Sequence, residues 1–414
     1  MTTPALRPPA FSALRSESFR LFVIGQFLSL SGTWMQVVAQ GWLVVQLSPS
    51  PFLVGVVAFL ESLPILLFTL YGGVLADRVR RRRALMILQS LMLLESLILA
   101  TLTAFDVITL PLVMVLAFSL GTLAAFEVPI RQAFLLEMVE REDVMNAIAL
   151  NSLTFNGSRI VGPLIAAALI ASVGLKACFF ANSLSYLAVI FSLAKMRPRT
   201  VSPANRESKG DRNLADGLAY LQATPLPRTL LILTAAFSVF GFSFVAMLPV
   251  YARDVLKAGA SGYGGLMSAF GVGAAAGALT MAAVGGERKN PALIRWAGFV
   301  FGFCLAGLGL VAHFPSAMLL LAVAGAGMIL NNVITNTLLQ TTTPDHLRGR
   351  VMGFYSLVVL GLAPIGNLLV GWGAEQLGVA AAVGLGGVAC VIATLIGTKR
   401  LAELVKGRPL ELSG

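Results

Sequence analysis

The chain has 414 residues, 57% of them hydrophobic and only 12% charged, and its mean hydropathy is +0.85. Soluble domains carry about a quarter charged residues, so this composition excludes a soluble enzyme or binding module and describes a polytopic membrane protein. The net charge of +11, from 30 basic and 19 acidic residues, leaves nucleic acid as a partner to be judged by where the charges fall.

Each membrane span needs about 20 apolar residues. In chain order twelve are predicted, at 20–46, 52–76, 84–104, 110–134, 147–173, 177–195, 229–251, 262–284, 292–312, 315–340, 351–374 and 379–398. The first 18 residues are polar and basic, so no cleavable leader is expected and the first span reads as an uncleaved anchor. An even span number places both termini on one side. Of the 30 Lys and Arg residues, 26 fall in segments this threading assigns to the cytoplasm, Lys176, Arg253 and Lys257 fall in external loops, and Arg159 lies within a span. One missed helix would invert everything after it, so the bias supports both the count and the orientation. The basic balance is therefore topology, with attraction to lipid headgroups secondary and nucleic acid excluded as a partner.

Between spans 2 and 3 lies Gly72 to Arg83, in which Asp77 is followed by Arg78, Arg80, Arg81, Arg82 and Arg83. Such charge cannot lie in hydrocarbon, and the stretch is expected to form a tight cytoplasmic turn. Residues 196–228 read as a solvated linker, with Leu214, Leu218 and Leu221 spaced for one face of a short amphipathic helix beneath the membrane. The linker divides an N-terminal six-helix bundle (1–195) from a C-terminal bundle and tail (229–414). Loop correspondences support duplication: Asp77-Arg78 answers Glu287-Arg288, and loop 136–147 answers loop 339–350.

Four charges sit well within spans: Glu61, Glu95, Glu127 and Arg159. Each costs about 2.5–3.5 kcal/mol on insertion scales, which makes each a functional candidate. Glu127 and Arg131 share a helix face four residues apart, with Pro129 between them. Arg159 in span 5 is expected at a similar depth to Glu127. The two then form either a structural ion pair or a proton-coupling pair in which Arg159 tunes Glu127 or holds an anionic substrate group. Glu61 and Glu95 are further protonatable candidates, or carboxyls held neutral between helices. Span 1 carries a polar stripe of Gln26, Ser29, Thr33, Gln36 and Gln40 at steps of three and four, flanked by Trp34 and Trp42. It faces a cavity or other helices. Arg131, Asn156, Asn332, Thr335 and Asn336 extend the candidate substrate cavity, with Asn331 beside them. Glycines 271, 273 and 277, and 384, 386 and 387, read as close helix packing and not as a dinucleotide fingerprint.

Cys178, Cys304 and Cys390 lie in apolar runs, without metal or disulfide spacing, and the two histidines form no cluster. No P-loop and no nucleophile–base set occurs. Neither enzyme activity nor a cofactor or metal is expected, and an ion gradient is the expected energy source.

The loop residues Gly73, Asp77, Arg78, Arg81 and Arg82 resemble the signature loop of the major facilitator superfamily, with Arg80 where the family usually has glycine. Ser158 to Ala167, with Gly162-Pro163 at its centre, resembles the span-5 antiporter motif of that family's exporters, Ser and Ala replacing the outer glycines. Pro129-Ile-Arg-Gln-Ala, Ala147 to Pro163, Ala215-Asp-Gly-Leu-Ala-Tyr-Leu and Pro344-Asp-His-Leu-Arg-Gly-Arg-Val are similar to the branch that includes macrolide efflux and enterobactin export proteins. The resemblance implies an all-α integral membrane fold of twelve transmembrane helices in two pseudo-symmetric six-helix bundles, with substrate near the midplane. It implies a monomer in the bacterial inner membrane that exports amphipathic small molecules, drugs or siderophore-like, in exchange for protons. Asp77 and Arg78 would then hold the halves together in the outward-open state. A lipid or lysophospholipid transporter on the same fold, and a non-transporting scaffold or receptor, are the alternatives.

Overall fold

The computed structural model describes residues 11–196, 214–284 and 291–406. Most of the expected linker and the Glu287-Arg288 pair lie outside the described residues. Where hydrocarbon offers no water, each segment must close its own backbone hydrogen bonds, and the long apolar runs form helices for that reason. They are α1 (Glu17–Leu47), α2 (Pro51–Arg78), α3 (Arg81–Ala104), α4 (Leu110–Leu135), α5 (Val144–Ser172) and α6 (Leu175–Lys195). A short helix α7 (Leu214–Ala223) follows, then α8 (Pro225–Ala236), α9 (Phe244–Asp254), α10 (Gly259–Val284), α11 (Pro291–Leu308) and α12 (Phe314–Thr342). The chain closes with α13 (Asp345–Gly361), α14 (Ala363–Leu377) and α15 (Val379–Lys406).

Among the described residues, eleven segments are long and apolar enough to cross a membrane, and α11 is a shorter apolar helix in the ninth place. Two predicted spans are not single α-helices. The seventh joins α8 to α9 through a π-helical stretch, Phe237–Phe242. The eleventh breaks at Leu362, because Pro364 in the first turn of α14 has no N–H to continue the ladder. The expected tight turn over Gly72–Arg83 is also shorter than the sequence indicates. Helix α2 runs on through Asp77 to Arg78, and only Val79 and Arg80 are non-helical. Arg80 adopts φ −73° and ψ 96°, which any residue can take, so the turn needs no glycine there.

Two turns do need glycine. Gly174, between α5 and α6, has φ 103°, and Gly378, between α14 and α15, has φ 86°. They lie 204 positions apart. Pro111 in the first turn of α4 and Pro315 in the first turn of α12 repeat the same offset. So do the helix pairings: α3 packs on α4 and α6, and α11 packs on α12 and α15. The pseudo-symmetry is thus a residue-level register.

Contacts gather the described chain into two compact units. The first comprises 11–39 with 67–196, and the second comprises 40–66 with 214–406. Within the second, Asn367 Nδ2 donates to the Ala58 carbonyl at 3.2 Å, and Glu375 Oε2 accepts from Ser50 Oγ at 2.7 Å and the Phe52 N–H at 3.1 Å. The short helix α7 is tied to the α12–α13 corner: Tyr220 Oη donates to the Thr342 carbonyl at 3.3 Å, and Arg350 meets Asp216 at 3.4 Å.

Candidate functional site

In the first unit, α1, α3 and α6 bring a set of polar side chains together out of water. Gln36 on α1 is 1% exposed. Its Oε1 accepts from Asn182 Nδ2 on α6 at 2.6 Å and from Ser96 Oγ on α3 at 2.7 Å. Its Nε2 donates to Glu95 Oε2 at 3.2 Å. Asn182 Oδ1 in turn accepts from Ser185 Oγ at 3.0 Å, and Thr33 Oγ1 lies 3.4 Å from Tyr186 Oη. Helices approach this closely because Gly32 has no side chain; a Cβ there would fall on Ser185 and Asn182. The network gives both polar atoms of the Gln36 side chain a partner and so joins three helices about one point.

A second set joins α3 to α4. Glu127 and Arg131 form a buried ion pair, Nε to Oε1, at 2.9 Å. Gln89 Nε2 donates to the same carboxylate oxygen at 3.3 Å. Glu127, Arg131 and Gln89 are all buried.

On α5, Arg159 is buried with its guanidinium 5.9 Å from the Trp34 ring centre, within cation–π range. At Glu127 the local ion pair is with Arg131, one helical turn away. The Gly162-Pro163 motif has a steric cause. A Cβ on Gly162 would lie 2.5 Å from the Ser31 carbonyl oxygen and 2.6 Å from Trp34 Cβ, so α5 can touch α1 only through glycine. Ser158 Oγ seals the same contact by donating to the Phe27 carbonyl at 3.1 Å.

The basic loop acts on helix ends. Arg81 donates to the Ala76 and Ala133 carbonyls, at 2.9 and 3.3 Å, and pairs with Glu137 at 2.7 Å and Asp77 at 3.4 Å. Arg82 donates to the Leu193 and Ala194 carbonyls at 2.5 and 2.7 Å. The two arginines thus supply donors to the last carbonyls of α4 and α6, where the helix dipole favours positive charge. Asp77 and Arg78 are exposed. Gly72, not Gly73, is the close-approach glycine: its Cβ would lie 2.5 Å from the Ala125 carbonyl oxygen, whereas one on Gly73 would meet nothing within 4 Å.

The remaining candidates are placed as follows. Gln26, Ser29 and Gln40 are buried, and Gln26 Oε1 has no hydrogen-bond partner among the described residues. Of the two readings of the α1 stripe, helix–helix bonding describes Gln36. Asn156 Nδ2 donates within its own helix to the Ser152 carbonyl at 2.9 Å. Glu61 is half-buried in the segment that belongs to the second unit. On α12, the Asn332 carbonyl accepts from Tyr355 Oη at 3.3 Å and Asn336 Oδ1 accepts from Gln340 Nε2 at 2.6 Å, while Thr335 is buried. Among the described residues no group of His, Cys, Asp and Glu could hold a metal ion.

The family described as transmembrane secretion effector matches residues 9–407. The chain belongs to that family, and so to the major facilitator superfamily. The chain is similar to the staphyloferrin A transporter of Staphylococcus aureus (strain NCTC 8325 / PS 47), 26% identical over 91% of this chain and 94% of that one. The multidrug efflux pump Tap of Mycolicibacterium fortuitum is 28% identical over 82% and 85%. The enterobactin exporter EntS of Shigella boydii serotype 4 (strain Sb227) is 26% identical over 92% and 91%. In fold the chain is similar to a bacterial homologue of the human lysosomal transporter Spinster, with a TM-score of 0.73 at 14% identity over 95% and 98% of the two chains. The protein is a multi-pass membrane transporter and not an enzyme.

Five members of this transporter's polar sets, Gln89, Ser96, Asn182, Ser185 and Tyr186, are missing from the candidates read along the sequence. A signal was present. Gln89 stands seven residues before Ser96, and Asn182 four before Tyr186, so each lies on a face that an inward polar residue already marks.

Proposed function

We propose that the protein exports amphipathic small molecules, drugs or siderophore-like compounds, in exchange for protons and by alternating access. The observation that carries this reading is the buried Glu127–Arg131 pair with Gln89 beside it. An ion pair is costly to hold inside a membrane helix, and one with a neutral donor in reserve can give up its carboxylate charge without losing all its bonds. Glu127 is assigned the exchanged proton, Arg131 and Arg159 the task of setting its affinity, and Glu95 and Glu61 secondary roles. The names of the relatives, two siderophore transporters and a drug pump, support the substrate range.

The same reading places the chain in the bacterial inner membrane as a monomer with both termini cytoplasmic, on the 26-residue basic bias. It divides the chain at 195 and 229. Gln26, Ser29, Thr33 and Gln40, with Asn156, Asn332 and Asn336, are assigned to the substrate path. The test is proton flux in proteoliposomes carrying a pH-sensitive dye, against a panel of cationic drugs and catecholate or hydroxamate siderophores. Substrate-driven flux in wild type that disappears in Glu127→Gln is expected. Undiminished pH coupling in that variant would remove Glu127 from the role.

A further inference from the structure

The register of 204 positions sets one residue against another. Gly162 answers Gly366, and each presses on a helix of its own unit: the Ser31 carbonyl for one, the Val239 carbonyl and Ser243 for the other. Gly174 answers Gly378, and Pro111 answers Pro315. By the same register Glu127 answers Asn331 and Arg131 answers Thr335.

Both pairs sit one helical turn apart and all four residues are buried, Asn331 at 3% and Thr335 at 2% exposure. Their bonding differs. The first pair is closed on itself and on Gln89. In the second, Asn331 Nδ2 and Thr335 Oγ1 have no hydrogen-bond partner among the described residues. Of their neighbours, Asn336 is engaged through its side chain by Gln340, and the Asn332 backbone carbonyl accepts from Tyr355. A fold does not keep two adjacent buried polar atoms unbonded without reason, because each forfeits its hydration for nothing.

We propose that Asn331 and Thr335 are the specificity-determining pair for the exported molecule: an uncharged hydrogen-bonding site on α12 that takes an acceptor oxygen, as in a carbonyl, phenolate or carboxylate. This rests on the export reading and adds a substrate class to it. The amide Nδ2 and the Thr335 hydroxyl can both donate, so the site rewards acceptor-rich compounds of the siderophore kind, whereas a quaternary or phosphonium cation has no acceptor oxygen to offer them. Duplication then yields a division of labour. One copy of the turn carries the charge pair, and the other, stripped of charge, recognises cargo.

The test is ligand-induced thermal shift on the full chain in detergent. The probes are 2,3-dihydroxybenzoylserine, an acceptor-rich anion, and tetraphenylphosphonium, a cation. Thr335→Val and Asn331→Leu keep shape and remove the unbonded atoms. Each is expected to leave the unliganded melting temperature unchanged or higher, and to weaken the catecholate about tenfold with the cation unaffected. A wild type that ignores the catecholate overturns the proposal. So does unchanged affinity in both variants, which would mean that the pair holds only water. A fall in melting temperature with affinity unchanged overturns it too, as the mark of a structural bond. Efflux of either probe from proteoliposomes is scored separately, so export can stand where this assignment falls.

Discussion

The turn of α4 that holds Glu127 and Arg131 and the turn of α12 that holds Asn331 and Thr335 occupy the same place in two copies of one design. In the first, the two side chains bond each other: Arg131 Nε holds Glu127 Oε1 at 2.9 Å, and Gln89 Nε2 approaches the same oxygen from α3. In the second, two polar atoms serve nothing within the described chain. The difference teaches that burial alone does not define a polar residue's part. A satisfied buried pair fixes packing and tunes charge, whereas an unsatisfied one keeps bonding capacity for something that arrives.

The comparison is broken most forcefully at Arg131. Arg131→Leu leaves Glu127 with an uncompensated charge, and a loss of about 3–5 kcal/mol is expected. Thermal melts followed by size exclusion would show it as a steep drop in melting temperature; a wild-type melt would mean that the pair does not stabilise α4. Making α4 imitate α12 is the sharper version. Glu127→Gln combined with Arg131→Gln removes both charges at once, so stability is expected within about 1 kcal/mol of wild type while substrate-driven proton flux disappears.

Gln36→Leu comes next. It leaves Asn182 Nδ2 only Ser96 Oγ at 3.4 Å and takes a donor from Glu95, at a cost of about 1–3 kcal/mol. Melting temperature reports it. Smaller again is Gly162→Ala against Gly366→Ala, each expected to cost about 1–3 kcal/mol by overpacking a helix contact. Similar losses in both would confirm the shared register; a silent Gly366→Ala would break it. The smallest effect is at the turns, where Gly174→Ala and Gly378→Ala force a side chain into positive φ at on the order of 1 kcal/mol each.

Much of this was legible along the chain. Hydropathy marked the segments, although not the π-helical stretch at Phe237 or the break at Leu362. The pairing of Glu127 with Arg131 was open to the same reading, because a four-residue step on a helix is a local fact. A pairing of Glu127 with Arg159 was not open to that reading, because it would join two helices whose rotations the sequence leaves free. Gln36 could be placed on a polar face, but whether that face met a cavity or Ser96 and Asn182 depended on which helices stand beside α1. The basic loop was read for its charge. That Arg81 and Arg82 reach back to the ends of α4 and α6 follows from where those helices stop.

The sequence by itself determined the medium, the number and spacing of the membrane segments, and the inventory of polar groups. Each depends only on composition and on neighbours within a turn or two. The tertiary structure alone decided which polar groups are spent on one another and which are left over. A hydrogen bond between helices needs two faces turned together at about 3 Å, and only the packing of small residues such as Gly32 and Gly162 brings them there.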